Sequence, residues 1–243
     1  RECYIGKKRV KIMGIAKGSG MIAPNMATML GFIFTDADLN SSIIKKILLQ
    51  AVEKSFNRIT VDSDMSTNDM VCLFSTKQVS CGNLKLANHK LLEQFKLNLE
   101  EITIDLAKKI VVDGEGAKKL IEIEVTGANS NSEAKNIAFA VANSPLVKTA
   151  VAGEDANWGR VIMAVGKAKA KIKQELLSLS IGAFPIIISG KLVKNFEEKN
   201  ISKHLKKKEI FINIDISLGK GSCKVWTCDL TKEYISINAD YRS

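Results

Sequence analysis

Thr28 stands in the stretch APNMATML, residues 23–30, directly after a glycine-rich run, GIAKGSGMI. Its hydroxyl is a poor nucleophile unless a neighbouring group takes its proton. The usual base is scarce. The chain has two histidines, His89 and His204, both in lysine-rich helical stretches that read as surface. A Ser–His–Asp or Cys–His arrangement therefore has little to build on. One base needs no histidine: the α-amine released when the peptide bond before a threonine is cut. Such an amine titrates near ~7.7–8.0, so a useful fraction is neutral at physiological pH. The Ala27–Thr28 bond suits that cut, because Ala27 is small and the upstream glycines let the segment fold tightly. Lys17, in the same run, suits a substrate carboxylate or a developing oxyanion. On local composition alone, the segment reads as an ordinary turn followed by a capping or strand threonine.

Composition narrows the field. The chain has 243 residues, 46% hydrophobic and 26% charged, which is ordinary for a globular protein of one large or two small domains. No apolar run is long enough to span a membrane, and no secretory signal stands at the N-terminus, so a cytoplasmic location is expected. The net charge is +10, yet the lysines are spread along the chain apart from KHLKKKE. Aromatics make up 6% and do not alternate with a basic stripe, so the charge reads as solvated surface and not as a nucleic-acid footprint. Five cysteines without a CxxC argue against disulfide scaffolding and a structural zinc. Asp62, Asp64, Asn68 and Asp69 lack the rest of a calcium-loop pattern and read as turn and cap chemistry, so no metal is expected.

The elements that must position this chemistry follow from periodicity. Residues 40–56 give an amphipathic helix capped at Asn40 or Ser41. STNDMVCLFST reads as the opening of a second helix, and residues 87–110 as a third, broken by Gly114-Glu115-Gly116. KLIEIEVTG alternates as a half-buried strand. SEAKNIAFAVANSPLVKTAVAG reads as helix interrupted near Pro145. RVIMAVGKA, FPIIISGKLV, EIFINIDIS and KVWTCDL read as four further strands, with a lysine-rich helix near 197–207. The mixture predicts α+β layers with a boundary near residues 114–116.

Six ordered blocks carry a specific resemblance: GIAKGSGMIAPNMATML, ITVDSDMSTND, DGEGAKK, NSPLVKTAVAGEDANWGR, WTCDLT and YISINADYRS. Together they resemble the ornithine acetyltransferases, the bifunctional glutamate N-acetyltransferases of arginine biosynthesis. The resemblance implies a layered α/β sandwich of the self-processing, N-terminal-nucleophile-like type, with a smaller C-terminal α/β domain. It implies residues 1–27 as the tail of an α chain, 28–118 as the β-chain part of the catalytic domain, and 119–243 as a C-terminal domain whose last residues return to the site. It implies self-cleavage between Ala27 and Thr28, with Thr28 then carrying an acetyl group from N-acetylornithine to glutamate. Lys17, Thr28, Glu115, Asn238 and Ser243 would contact substrate. No cofactor is implied beyond acetyl-CoA as a candidate second donor, and the assembly would be an α2β2 heterotetramer.

Three departures accompany the match. Ser243 stands where the family often ends in threonine, and Ser63 where VDGD is common. Only 27 residues precede Thr28, and none holds the Thr-Gly pair that forms the family's oxyanion hole. The chain's own Thr126-Gly127 follows a predicted strand and does not match it. Two other readings stay open: an aminopeptidase or amidase of the same fold, in which water resolves the acyl-enzyme, and an inactive subunit lacking its oxyanion donors.

Overall fold

A computed structural model of the protein describes residues 1–23, 29–64, 68–82, 84 and 89–240. They form two compact units, one of residues 1–59 and 63–110, the other of 60–62 and 111–243.

The first unit opens with β1 (Glu2–Ile5) and β2 (Lys8–Lys17), then β3 (Leu30–Ala37) and α1 (Ser41–Lys54). A 3-10 turn at Phe56–Arg58 leads to the short β4 (Ile59–Thr60), and β5 (Met70–Val79) precedes α2 (His89–Val112). Four strands make a sheet in the order β1-β2-β3-β5, antiparallel except for the parallel β3/β5 pair. Alternation along β1 to β3 turns Cys3, Ile5, Val10, Ile12 and Ile33 inward. They pack with Ile43, Ile47 and Ala51 of α1 and Leu92, Phe95 and Leu99 of α2. The Asn40 side chain caps α1 by accepting from the Ile43 N–H at 3.0 Å. The sheet's other face is apolar too: Met13, Ile15, Met70 and Phe74 are exposed, and Phe34 stacks on Phe74 at 5.3 Å.

STNDMVCLFST, expected to open a helix, contributes β5 instead. The glycine-rich run is only partly loop, because Gly14 to Lys17 are strand, paired with Leu30 to Ile33.

The second unit holds β6 (Leu120–Ala128), α3 (Asn131–Ala142), α4 (Pro145–Ala152), α5 (Trp158–Gly166), β7 (Ser178–Ile181), β8 (Phe184–Ile188) and β9 (Lys191–Leu192). It continues through α6 (Glu198–Leu205), β10 (Glu209–Asp215), β11 (Gly221–Cys228) and α7 (Lys232–Asp240). The sheet order is β4-β11-β6-β10-β7-β8-β9, with β6 and β10 parallel and β11 antiparallel to β6. Ile121, Ile123, Val125, Ile210, Ile212 and Ile214 face a core shared with α3 to α6. The alternate residues Glu122, Glu124 and Asn213 give a polar second face, where Glu122 takes the Trp226 indole N–H at 2.7 Å and the Lys224 ammonium at 2.7 Å. RVIMAVGKA, expected as strand, is mostly α5. Thr126-Gly127, expected to follow a strand, lies within β6 near its end, where the Gly127 carbonyl accepts from Leu218 at 2.7 Å and Gly219 at 2.8 Å.

Candidate active site

A dense polar constellation lies in the second unit, where the turn after α2 meets the end of β11 and the start of α7. Glu115 sits half-buried in that turn. The Asn238 side chain, in the last turn of α7, donates from Nδ2 to Glu115 Oε2 at 2.9 Å. Two of the expected substrate contacts, 123 positions apart, are thus brought together. The same amide also donates to the Tyr234 carbonyl within α7 at 3.0 Å, which fixes its orientation.

Several ties hold the turn. Asp229, directly after β11, is 3% exposed, and its Oδ1 accepts the backbone N–H groups of Lys118 at 2.8 Å and Lys119 at 2.9 Å. The Asp229 N–H in turn donates to the Lys119 carbonyl at 3.2 Å. Thr231 Oγ1 donates to the Gly116 carbonyl at 2.8 Å. Gly116 has φ +68°, and a Cβ there would lie 2.4 Å from the Tyr234 nitrogen, so only glycine lets the turn approach α7 this closely. Lys118 and Glu233 close an ion pair above it.

Beneath this cluster Lys148 of α4 is 4% exposed. Its Nζ donates to the Val61 carbonyl at 2.6 Å and Thr227 Oγ1 at 3.0 Å, and lies 3.8 Å from Cys228 Sγ. Burial holds its pKa below that of an ordinary lysine, opposed by the neighbouring Cys228, Asp229 and Asp62. Burial likewise pushes the Cys228 thiol up, with Lys148 opposing. Tyr234 donates a long bond, 3.5 Å, to Asp62.

In the first unit Lys17 is the exposed last residue of β2, paired with Leu30. Ala27, Thr28 and Ser243 lie outside the described residues. Met29, the neighbour of Thr28, is buried and held on both sides: its N–H donates to Asp69 Oδ1 at 2.6 Å, and its carbonyl accepts from Met70 at 3.0 Å. Burial raises the Asp69 pKa, opposed by that Met29 bond. Asp69 lines a small pocket with Ile22, Ala23, Met29 and Phe56.

Sequence reasoning read Asp69 as turn and cap chemistry, which its bond to the Met29 N–H fits, and it did not single out Lys148, Asp229 or Thr231, which lie around the Glu115 turn. All four lie in the six quoted blocks, and that is the signal that marks them. His204, expected at the surface, is 5% exposed, and its Nε2 accepts from the Phe211 N–H at 3.1 Å. The His89 side chain lies outside the described set. Among the described residues no three His, Cys, Asp or Glu side chains are placed to hold a metal, and no helix is long and apolar enough to cross a membrane.

The sequence pattern of the ArgJ family matches residues 1–243. The arginine biosynthesis bifunctional protein ArgJ of Zymomonas mobilis subsp. mobilis is 54% identical over 245 residues, covering 100% of this chain and 59% of that protein. Its namesake from Bartonella quintana is 51% identical over 246 residues, covering 100% and 60%. The crystal structure of arginine biosynthesis bifunctional protein argJ from Bacillus halodurans is similar in fold, with TM-score 0.82 and 38% identity. That match covers 88% of this chain and 100% of that one. The present chain thus spans 59–60% of the length of these two curated relatives. With its whole length matched and its fold shared, the chain belongs to the ArgJ family.

Proposed function

We propose that the whole protein is an acetyltransferase of arginine biosynthesis that moves an acetyl group from N-acetylornithine to glutamate through an ester on Thr28. The observation that supports this reading, given the family, is the 2.9 Å bond from Asn238 to Glu115, which brings together two of the residues proposed to meet the substrate.

The chemistry begins with self-cleavage. Thr28 Oγ attacks the Ala27 carbonyl carbon, the peptide C–N bond breaks, and water hydrolyses the resulting ester. Ala27 keeps a carboxylate and Thr28 a free α-amine. That amine takes the Oγ proton as Oγ attacks the acetyl carbonyl of N-acetylornithine, and ornithine leaves with a proton on its nitrogen. Glutamate's amine then attacks the ester, its proton passes to Glu115, and Thr28 Oγ is released and reprotonated. The substrates share an α-carboxylate, for which Lys17, Asn238 and Ser243 are the proposed partners. No further cofactor is needed, and acetyl-CoA is a second candidate donor.

The family's longer N-terminal region is assigned the oxyanion donors and one further task. The outward face of the first sheet, with Met13, Ile15 and Phe74 exposed, supports a layered sandwich in which that region covers it. An α2β2 assembly in the cytoplasm completes the reading.

The test is intact-mass analysis of the full-length gene product. The wild type is expected as two chains divided between Ala27 and Thr28, and Thr28→Ala as one. Two chains from the Thr28→Ala protein would refute the assignment.

A further inference from the structure

We infer that Asp229 is a positioning residue for Glu115, holding the 115–119 turn against the start of α7 so that Glu115 and Asn238 meet. The inference rests on the role given to Glu115 above, but its evidence is separate. Glu115 lies on a turn, and a turn fixes a side chain only if its backbone is tied.

Here the ties converge on one strand end. Asp229, itself 3% exposed, accepts two consecutive N–H groups on Oδ1, from Lys118 at 2.8 Å and Lys119 at 2.9 Å. Charge-assisted bonds of this kind are about twice as strong as neutral ones. The Asp229 N–H returns a bond to the Lys119 carbonyl, so residues 118–119 are held on both sides. Two residues on, Thr231 fixes the Gly116 carbonyl, and Gly116 packs against the Tyr234 backbone. One short segment, 229–234, therefore grips the turn on the C-terminal side of Glu115. It then runs directly into the helix that delivers Asn238.

Asp229 is itself set from below. Its charge acts on the buried Lys148 ammonium, and the Leu230 N–H donates to the Lys148 carbonyl at 3.3 Å. Its Oδ2 is buried with no hydrogen-bond partner among the described residues. A carboxylate is an expensive group to bury for packing alone, and an apolar residue would fill the space at lower cost. What only a carboxylate or its amide supplies here is the paired acceptor for the two turn N–H groups.

The test uses the full-length protein with Asp229→Ala, Asp229→Asn, Thr231→Val and Glu115→Gln, alone and combined. Three quantities are read: amide exchange at Lys118 and Lys119, the extent of self-cleavage, and single-turnover transfer from acetylated enzyme to glutamate. Asp229→Ala is expected to speed exchange at both amides and to slow transfer by roughly 10–100-fold, the cost of a misplaced catalytic group. Self-cleavage should stay at the wild-type extent. Asp229→Asn, which keeps an acceptor oxygen, should recover much of the rate, and Thr231→Val should show a smaller loss of the same kind. In the Glu115→Gln background the Asp229 change should alter transfer by less than about 2-fold, since a residue acting through Glu115 has nothing left to position.

Equal slowing in both backgrounds, or loss of cleavage together with transfer in the Asn and Val variants, would overturn the inference. If Glu115→Gln alone leaves transfer at the wild-type rate, the role of Glu115 is what fails. Exchange at Lys118 and Lys119 then judges the grip, and unchanged exchange would overturn that as well.

Discussion

The two units bury their polar groups differently. In the first, the buried polar side chains are hydroxyls spent on nearby backbone: Thr35 donates to the Lys11 carbonyl, Ser55 to Ala51 and Thr103 to Leu99, at 2.7–2.9 Å. In the second, a lysine, a carboxylate and an imidazole go inside. The outer sheet faces reverse the pattern, apolar on the first sheet and polar on the second. A hydroxyl that back-bonds to its own helix costs little to bury, whereas a charge is tolerated only where several partners meet it. The second unit thus buries titratable side chains, with Lys148 and Asp229 near the Glu115 turn. The first is an ordinary core with one face suited to being covered.

Breaking each interior should expose the contrast. Lys148→Met keeps the length of the side chain but leaves the Val61 carbonyl without this donor and Asp229 without the nearby cation. It should cost the second unit about 2–3 kcal/mol, the penalty for an abandoned buried partner. Thr103→Val in the first unit should cost less than about 1 kcal/mol, because the two carbonyls it bonds are helix carbonyls. Native-state exchange at the amides of β6 and β11, set against those of β3, reads the two units separately.

The next largest effect is on pH. Burial, and secondarily the Lys207 charge, lower the His204 pKa from its ordinary 6.5. Below pH 6.5 the unfolded chain therefore takes up a proton that the folded one refuses. Stability conferred by neutral His204 is full above 6.5, falls as pH drops through 6.5 toward the lowered native value, and levels off beneath it. His204→Gln, which keeps an acceptor for the Phe211 N–H, should flatten that part of the stability–pH curve for the second unit. An unchanged slope would show that other groups set it.

Much of this was legible in sequence, and the failures have physical causes. α1, β6 and β10 follow from clean periodicity, because each has one buried face and one polar face. β5 was hidden because Met70, Cys72 and Phe74 point to an apolar outer face, which erases the alternation that marks a strand. α5 failed for a related reason: a short apolar run such as Val161 to Val165 has no period to separate helix from strand. His204 sits among lysines, yet Ile201 and Leu205 share its narrow buried stripe. Glu115 and Asn238 were nameable only through the family blocks. Asp229 stayed invisible because its role depends on backbone N–H groups about 110 positions away.

The smallest effect concerns Ser63. It stands where the family commonly has glycine, and its φ is +67°, in the left-handed region. Ser63→Gly should be neutral to stabilising, by up to about 1 kcal/mol in chemical denaturation. A clear loss would mean that the serine side chain makes a contact that outweighs the strain.

The most direct measurement is the mass of the Thr28-bearing chain after full-length protein is mixed with N-acetylornithine and no glutamate. One added acetyl group, mapped to Thr28 and discharged when glutamate is supplied, is the predicted result. A Thr28-bearing chain that stays unmodified while acetylglutamate forms at the normal rate once both substrates are present would contradict the covalent route.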